Sequence, residues 1–101
     1  MAKVNVETMP FDPADYVRSD EEAALYISDA LQSGDPSEVA AAIGTVVRAR
    51  GTTGFAKATG VSRAALYKGL SADGNPTLAT VLAVLKELGM TLKAEPLAKA
   101  A

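Results

Sequence analysis

Arg63, Ala64, Tyr67 and Lys68 fall at the spacing that puts four side chains on one face of a short helix. The types suit reading a nucleic-acid groove. An arginine can take a guanine edge through two hydrogen bonds, an alanine methyl or tyrosine ring can touch a thymine methyl, and a lysine can take a base or a phosphate. Thr52, Thr53, Lys57, Ser62 and Ser71 lie close by in sequence. They supply hydroxyl and ammonium donors of the kind that hold phosphates, which fix position without reading sequence. From Gly44 to Ala72 there are five cations and no carboxylate, the local charge a duplex attracts.

Such a face needs a scaffold, and the same window contains one. In a helix-turn-helix, a first helix, a tight turn and a recognition helix meet in fixed geometry. Ala56 is the small residue where the helices cross, beside Phe55 as a core contact. Gly60, four residues on, tolerates the positive φ of the turn. Val61 plugs the corner, Ser62 caps the second helix, and Leu66 and Leu70 form its buried side.

The surrounding elements follow from periodicity and caps. Residues 1–18 read as an arm. "KVNVET" suits a short strand through Val4 and Val6, and two prolines in "MPFDPADY" bar a helix. Met9, Phe11 and Tyr16 are expected to anchor the arm on the body or on a partner. Ser19 and Glu22 form a capping box for a first helix with Ala24, Ile27 and Leu31 on its apolar face, ending at Gly34. Asp35 is expected to cap a second helix with Pro36 at its first position and Glu38 completing a capping box, with Val39, Ile43, Val46 and Val47 inward and Gly51 at its end. Two short helices, near Thr53–Thr59 and Ser62–Leu70, are followed by a fifth that is expected to start at Pro76 with Asn75 as cap. Leu78, Val81, Leu82 and Leu85 are its apolar face, and Gly89 stops it. "MTLKAEPL" alternates as a short C-terminal strand, free to pair with its mate, with another protein, or to cover the core. Residues 19–95 thus form one all-α domain, and 96–101 a tail.

Composition closes other routes. With 101 residues there is room for one core. A core of small residues gains from dimerisation, so a homodimer is expected. The absence of Cys and His removes disulfides, thiolate sites, the usual general base and the commonest zinc ligand. No metal, cofactor or catalytic residue is therefore expected. The carboxylate pairs Asp12/Asp15 and Glu21/Glu22 serve capping and solubility. No membrane span or secretory signal is apparent, so the expected location is the cytoplasm. Residues 1–38 set two cations against nine carboxylates, a balance of −7, whereas residues 39–101 stand at +5. Opposite halves point to two different partners.

The ordered set "DPADY", "ALQSGDP", "RARG", "ALYKGLS" and "GNPTLATVL" resembles the addiction-module antidote (antitoxin) proteins of the Cro/Xre-like, lambda-repressor-like helix-turn-helix superfamily, of the HigA-like kind. That resemblance implies a five-helix domain binding double-stranded operator DNA, usually as a dimer. It also implies a cognate basic toxin of the RelE/HigB type that the antitoxin neutralises, and autoregulation of the shared operon. Family members commonly carry a polar residue such as Gln near the start of the first motif helix; here the stretch is "GTTGF", with Gly54 inside it. The alternative is a toxin-neutralising or other protein-interaction module whose helix-turn-helix is vestigial.

Overall fold

The computed structural model describes residues 17–98. Five helices follow one another: α1 (Asp20–Ser33), α2 (Pro36–Arg50), α3 (Thr52–Thr59), α4 (Arg63–Gly69) and α5 (Leu78–Glu87). The strand expected at Val4 and Val6, the "DPADY" motif and the anchors Met9, Phe11 and Tyr16 lie outside the described residues.

α1, α2, α4 and α5 each start where a side chain satisfies an amide that the first turn leaves unpaired, whereas α3 follows Gly51 with no side-chain cap bond. At α1 the box is complete: Ser19 Oγ accepts from the Glu22 amide at 3.0 Å, and Glu22 Oε1 accepts from the Ser19 amide at 3.1 Å. At α2 the Asp35 carboxylate accepts from the Ser37 amide at 2.9 Å, so the cap bond goes to Ser37 and not into a box with Glu38. α4 is capped by Ser62, and α5 by Thr77, whose Oγ1 accepts from the Thr80 amide at 3.1 Å.

The α5 start therefore lies two residues later than Asn75 and Pro76 suggest. The preceding loop is held elsewhere, because Gly74 lies against the carbonyls of Lys68 and Gly69 at the end of α4. Val84, Leu85 and Leu88 are buried with Val81 partly so, while Leu78 and Leu82 remain 64 % and 45 % exposed. The stripe that packs against α3 is thus rotated from the expected Leu78–Val81–Leu82–Leu85 face. A similar rotation separates expectation from fact in α1. Ala23, Ile27 and Ala30 are buried, whereas Leu31 is exposed. Both stripes have helical period, and α1, which packs on α2, buries the one of smaller side chains.

The core gathers Val17, Ile27, Ile43, Val46, Val47, Phe55, Leu66, Leu70, Val84 and Leu85 from the approach to α1 and all five helices. α2 runs through its middle, touching α1, α3 and α4. At Gly44 it passes so near the end of α4 that a Cβ would collide with the Leu70 carbonyl. No strand forms among the described residues, so "MTLKAEPL" is not a strand here. An isolated extended segment has no second chain to take its N–H and C=O groups, and alternation alone cannot supply one.

Candidate nucleic-acid interface

The turn between α3 and α4 is built from three local hydrogen bonds. Gly60 adopts φ +77° and donates its amide to the Ala56 carbonyl at 3.0 Å. Thr59 Oγ1 donates to the Phe55 carbonyl at 2.7 Å and accepts from the Val61 amide at 3.2 Å. Ser62 Oγ then accepts from the Ala65 amide at 3.1 Å, opening α4. Phe55, Leu66 and Leu70 are buried, and Ala56 and Val61 pack half-buried against the same core. With its back so fixed, α4 turns Arg63, Ala64, Tyr67 and Lys68 outward, all exposed.

The nearby hydroxyls and cations do not share one fate. Thr53, Lys57 and Ser62 are exposed. Thr52 is 8 % exposed, which corrects its expected place as an open phosphate contact: it lies at the start of α3 and hydrogen-bonds Tyr67. Ser71 donates its hydroxyl proton to the Lys68 carbonyl at 3.1 Å, so in this rotamer it has no proton left for a phosphate oxygen.

Tyr67 is the most perturbed group of the face. Its phenol is held below the ordinary value of 10, first by the side-chain hydrogen bond with Thr52 and second by one with Arg63. Desolvation opposes the shift, and the positive charges of Arg63 and Arg48 add to it. The ring is 46 % exposed, on the outward face of α4 with Arg63 and Lys68.

Arg48 and Arg50 take structural work. Arg48 reaches the Leu70 carbonyl through Nη1 at 3.5 Å and Thr45 Oγ1 through Nη2 at 3.5 Å, covering the C-terminal end of α4. Arg50 pairs with Asp20 at 3.0 Å, joining the end of α2 to the start of α1. Of the window's five cations only Arg50 is ion-paired among the described residues; Arg48 stays exposed and charged behind Lys57, Arg63 and Lys68. Nothing in the spacing of the sequence announces the Thr52–Tyr67 or Arg48–Leu70 contacts, since each joins different elements.

On another side, Leu31, Val39, Ala40, Ile43, Pro76 and Val81 line an open apolar groove of about 300 Å³ between α1, α2 and the start of α5. Among the described residues no helix is long and apolar enough to cross a membrane.

An uncharacterised protein of Haemophilus influenzae is 40 % identical over 85 residues, covering 84 % of this chain and 88 % of that protein. No solved structure matches the chain. Residues 7–96, nearly the whole sequence, match the family described as probable addiction module antidote protein. A match over that much of the chain settles membership: the protein belongs to the addiction-module antidote family, whose members stand opposite a toxin.

Proposed function

We propose that this antidote is also a sequence-specific DNA-binding repressor. As a homodimer it would place α4 of each copy in the major groove of operator DNA, with Arg63, Ala64, Tyr67 and Lys68 against base edges. Thr53, Lys57 and Ser62 would hold phosphates. The carboxylate-rich α1–α2 half would engage a basic RelE/HigB-type toxin, and the antidote, with or without that toxin, would repress its own operon. The carrying observation is the exposed, acid-free face of α4 on a helix whose opposite side is buried at Leu66 and Leu70.

The test is a titration of the protein against its own upstream DNA at two salt concentrations, with scrambled DNA beside it. Specific binding that weakens steeply with salt is expected, since each neutralised phosphate releases counterions. Equal binding to both DNAs would sink the repressor reading.

One observation favours the second reading, toxin neutralisation with vestigial DNA binding. Of the window's five cations, Arg50 is ion-paired with Asp20 and Arg48 is engaged by the Leu70 carbonyl, which leaves three with neither kind of contact among the described residues. Tight toxin binding together with no salt-sensitive operator binding would select it.

A further inference from the structure

Residues 91–98 follow α5 as a stretch in which every residue is exposed. Leu92 and Leu97, at 40 % and 93 %, leave apolar surface in water. Where α5 ends, the Met90 amide bonds the Leu85 carbonyl at 2.8 Å, and Met90 itself packs half-buried against the core. Beyond it Lys93 Nζ lies 3.8 Å from Glu95 Oε2. Side chains two residues apart meet on one side when the backbone is extended, since successive side chains alternate faces. Thr91, Lys93, Glu95 and Leu97 then share one side, and Met90, Leu92, Ala94 and Pro96 the other. The segment has the alternation of a strand, though no ladder forms among the described residues.

We propose that residues 90–98 pair with the same segment of a second copy, forming a two-stranded antiparallel ribbon centred on Ala94. The charges choose both the occupant and the register. With Ala94 facing Ala94 of the second copy across the twofold axis, Lys93 of each chain faces Glu95 of the other, and the ribbon carries two cross-strand ion pairs. Parallel pairing in register would set Lys93 beside Lys93 and Glu95 beside Glu95. Centring the antiparallel pair on residue 93 or 95 also opposes like charges.

Pro96 fits the same register. In an antiparallel ladder, hydrogen-bonded pairs alternate with non-hydrogen-bonded ones. If the Ala94 pair is of the second kind, the amides of residues 92, 94 and 96 point away from the partner strand. Pro96 then loses no ladder bond by having no N–H. Residues 93 with 95 and 91 with 97 make the hydrogen-bonded pairs, and Leu97 gains cover from Thr91 of the other chain.

The proposal rests on the homodimer of the preceding reading, and oligomeric state tests the two separately. In sedimentation velocity on the full chain, the native protein should dimerise. Lys93→Glu and Glu95→Lys should each weaken the dimer about tenfold, because each puts like charges opposite one another twice. An equimolar mixture of the two variants should recover native-like dimerisation as heterodimers, and so should the double exchange within one chain. Because the chain has no cysteine, Ala94→Cys gives one thiol per copy. Its Cα atoms would lie about 4.5 Å apart in a non-hydrogen-bonded pair, within disulfide range. Mild oxidation should link Ala94→Cys into a covalent dimer and leave Thr91→Cys largely unlinked. A dimer indifferent to both charge reversals and no better linked at 94 than at 91 overturns the ribbon while the homodimer stands. A native chain that stays monomeric at every concentration overturns both. Charge reversals that weaken only toxin binding would assign the segment to the toxin and overturn the ribbon as well.

Discussion

The α1–α2 hairpin and the α3–α4 unit solve the same local problem with different chemistry. Three of their four helices, α1, α2 and α4, begin at capping side chains, α3 begins at Gly51 without one, and both units bury one face in a shared core. α1 carries Asp20, Glu21 and Glu22 in its first turn, α2 is capped by Asp35 with Glu38 in its first turn, and both gain from the positive helix N-terminus. α3, α4 and α5 have no acid in the first turn, and α4 and α5 are capped by neutral Ser62 and Thr77. A hydroxyl cap satisfies an amide as a carboxylate does, and brings no negative charge to the surface. The acids of the first turns, together with the Asp35 cap, therefore set the electrostatic character of the α1–α2 half, since α1 itself is capped by the neutral hydroxyl of Ser19.

The two halves nevertheless meet through α2, and the largest expected effect comes from breaking that junction. Gly44→Ala drives a Cβ into the Leu70 carbonyl, which is backbone and cannot swing aside. A loss of about 3 kcal/mol, the upper part of the overpacking range, should appear as a lower urea midpoint. If the midpoint stays within error of native, α2 and α4 are not packed as closely as described.

A crossed pair of variants sharpens the contrast. Arg63→Ala with Lys68→Ala should lower operator affinity about a hundredfold, from side chains worth roughly 1–3 kcal/mol each, and leave toxin binding intact. Glu21→Lys with Asp29→Lys, both exposed on α1, should weaken toxin capture and spare operator binding. Titrating all four combinations decides the matter: if either double variant damages both interactions equally, the halves are not functionally separate.

A smaller effect, of opposite sign, is expected at Gly54. The residue sits in α3 with nothing within 4 Å of an added Cβ. Gly54→Ala should stabilise the domain by up to about 1 kcal/mol, read as a raised melting temperature. A fall would mean that the open space is filled in solution.

The smallest effect concerns Tyr67. Its phenol should ionise below 10, and Thr52→Val should move that midpoint upward by removing the principal hydrogen bond. A depressed folded-state value favours the native state above the unfolded value of 10 and loses that contribution as pH falls through the folded value. Stability should consequently show no Tyr67 dependence near neutrality. Ultraviolet titration checks this: a midpoint at or above 10 in the native chain would deny the contact with Thr52.

Much of the fold was legible along the chain because caps, glycine turns and helical spacing are local. Ser19 with Glu22, Asp35, Gly60 and Ser62 act where expected, since each bonds within four residues. The expected outward face of α4 is exposed for a related reason: burying Leu66 and Leu70 on a seven-residue helix leaves one side for Arg63, Ala64, Tyr67 and Lys68. Local pattern was ambiguous where two stripes had equal period. In α1 and α5 the neighbour decided which one is buried, selecting Ala23 and Ala30 over Leu31, and Val84 and Leu88 over Leu78 and Leu82.

Three features belonged to the tertiary structure alone. Arg48 and Arg50 look in sequence like part of the basic window, but folding places them beside the Leu70 carbonyl and Asp20, respectively. Thr52 looks like a free hydroxyl and is shut in against Tyr67. Residues 90–98 alternate like a strand, yet no ladder forms among the described residues. Sequence thus determined where α1, α2 and α4 begin, where the chain turns at Gly60 and which short helix presents a cationic face, because those outcomes depend on bonds spanning a few residues. The start of α5 was instead shifted by the contact of Gly74 with α4. Which apolar stripe is buried, which charge is spent inside the fold and whether a strand exists depend on partners distant in sequence, and only the folded chain brings those together.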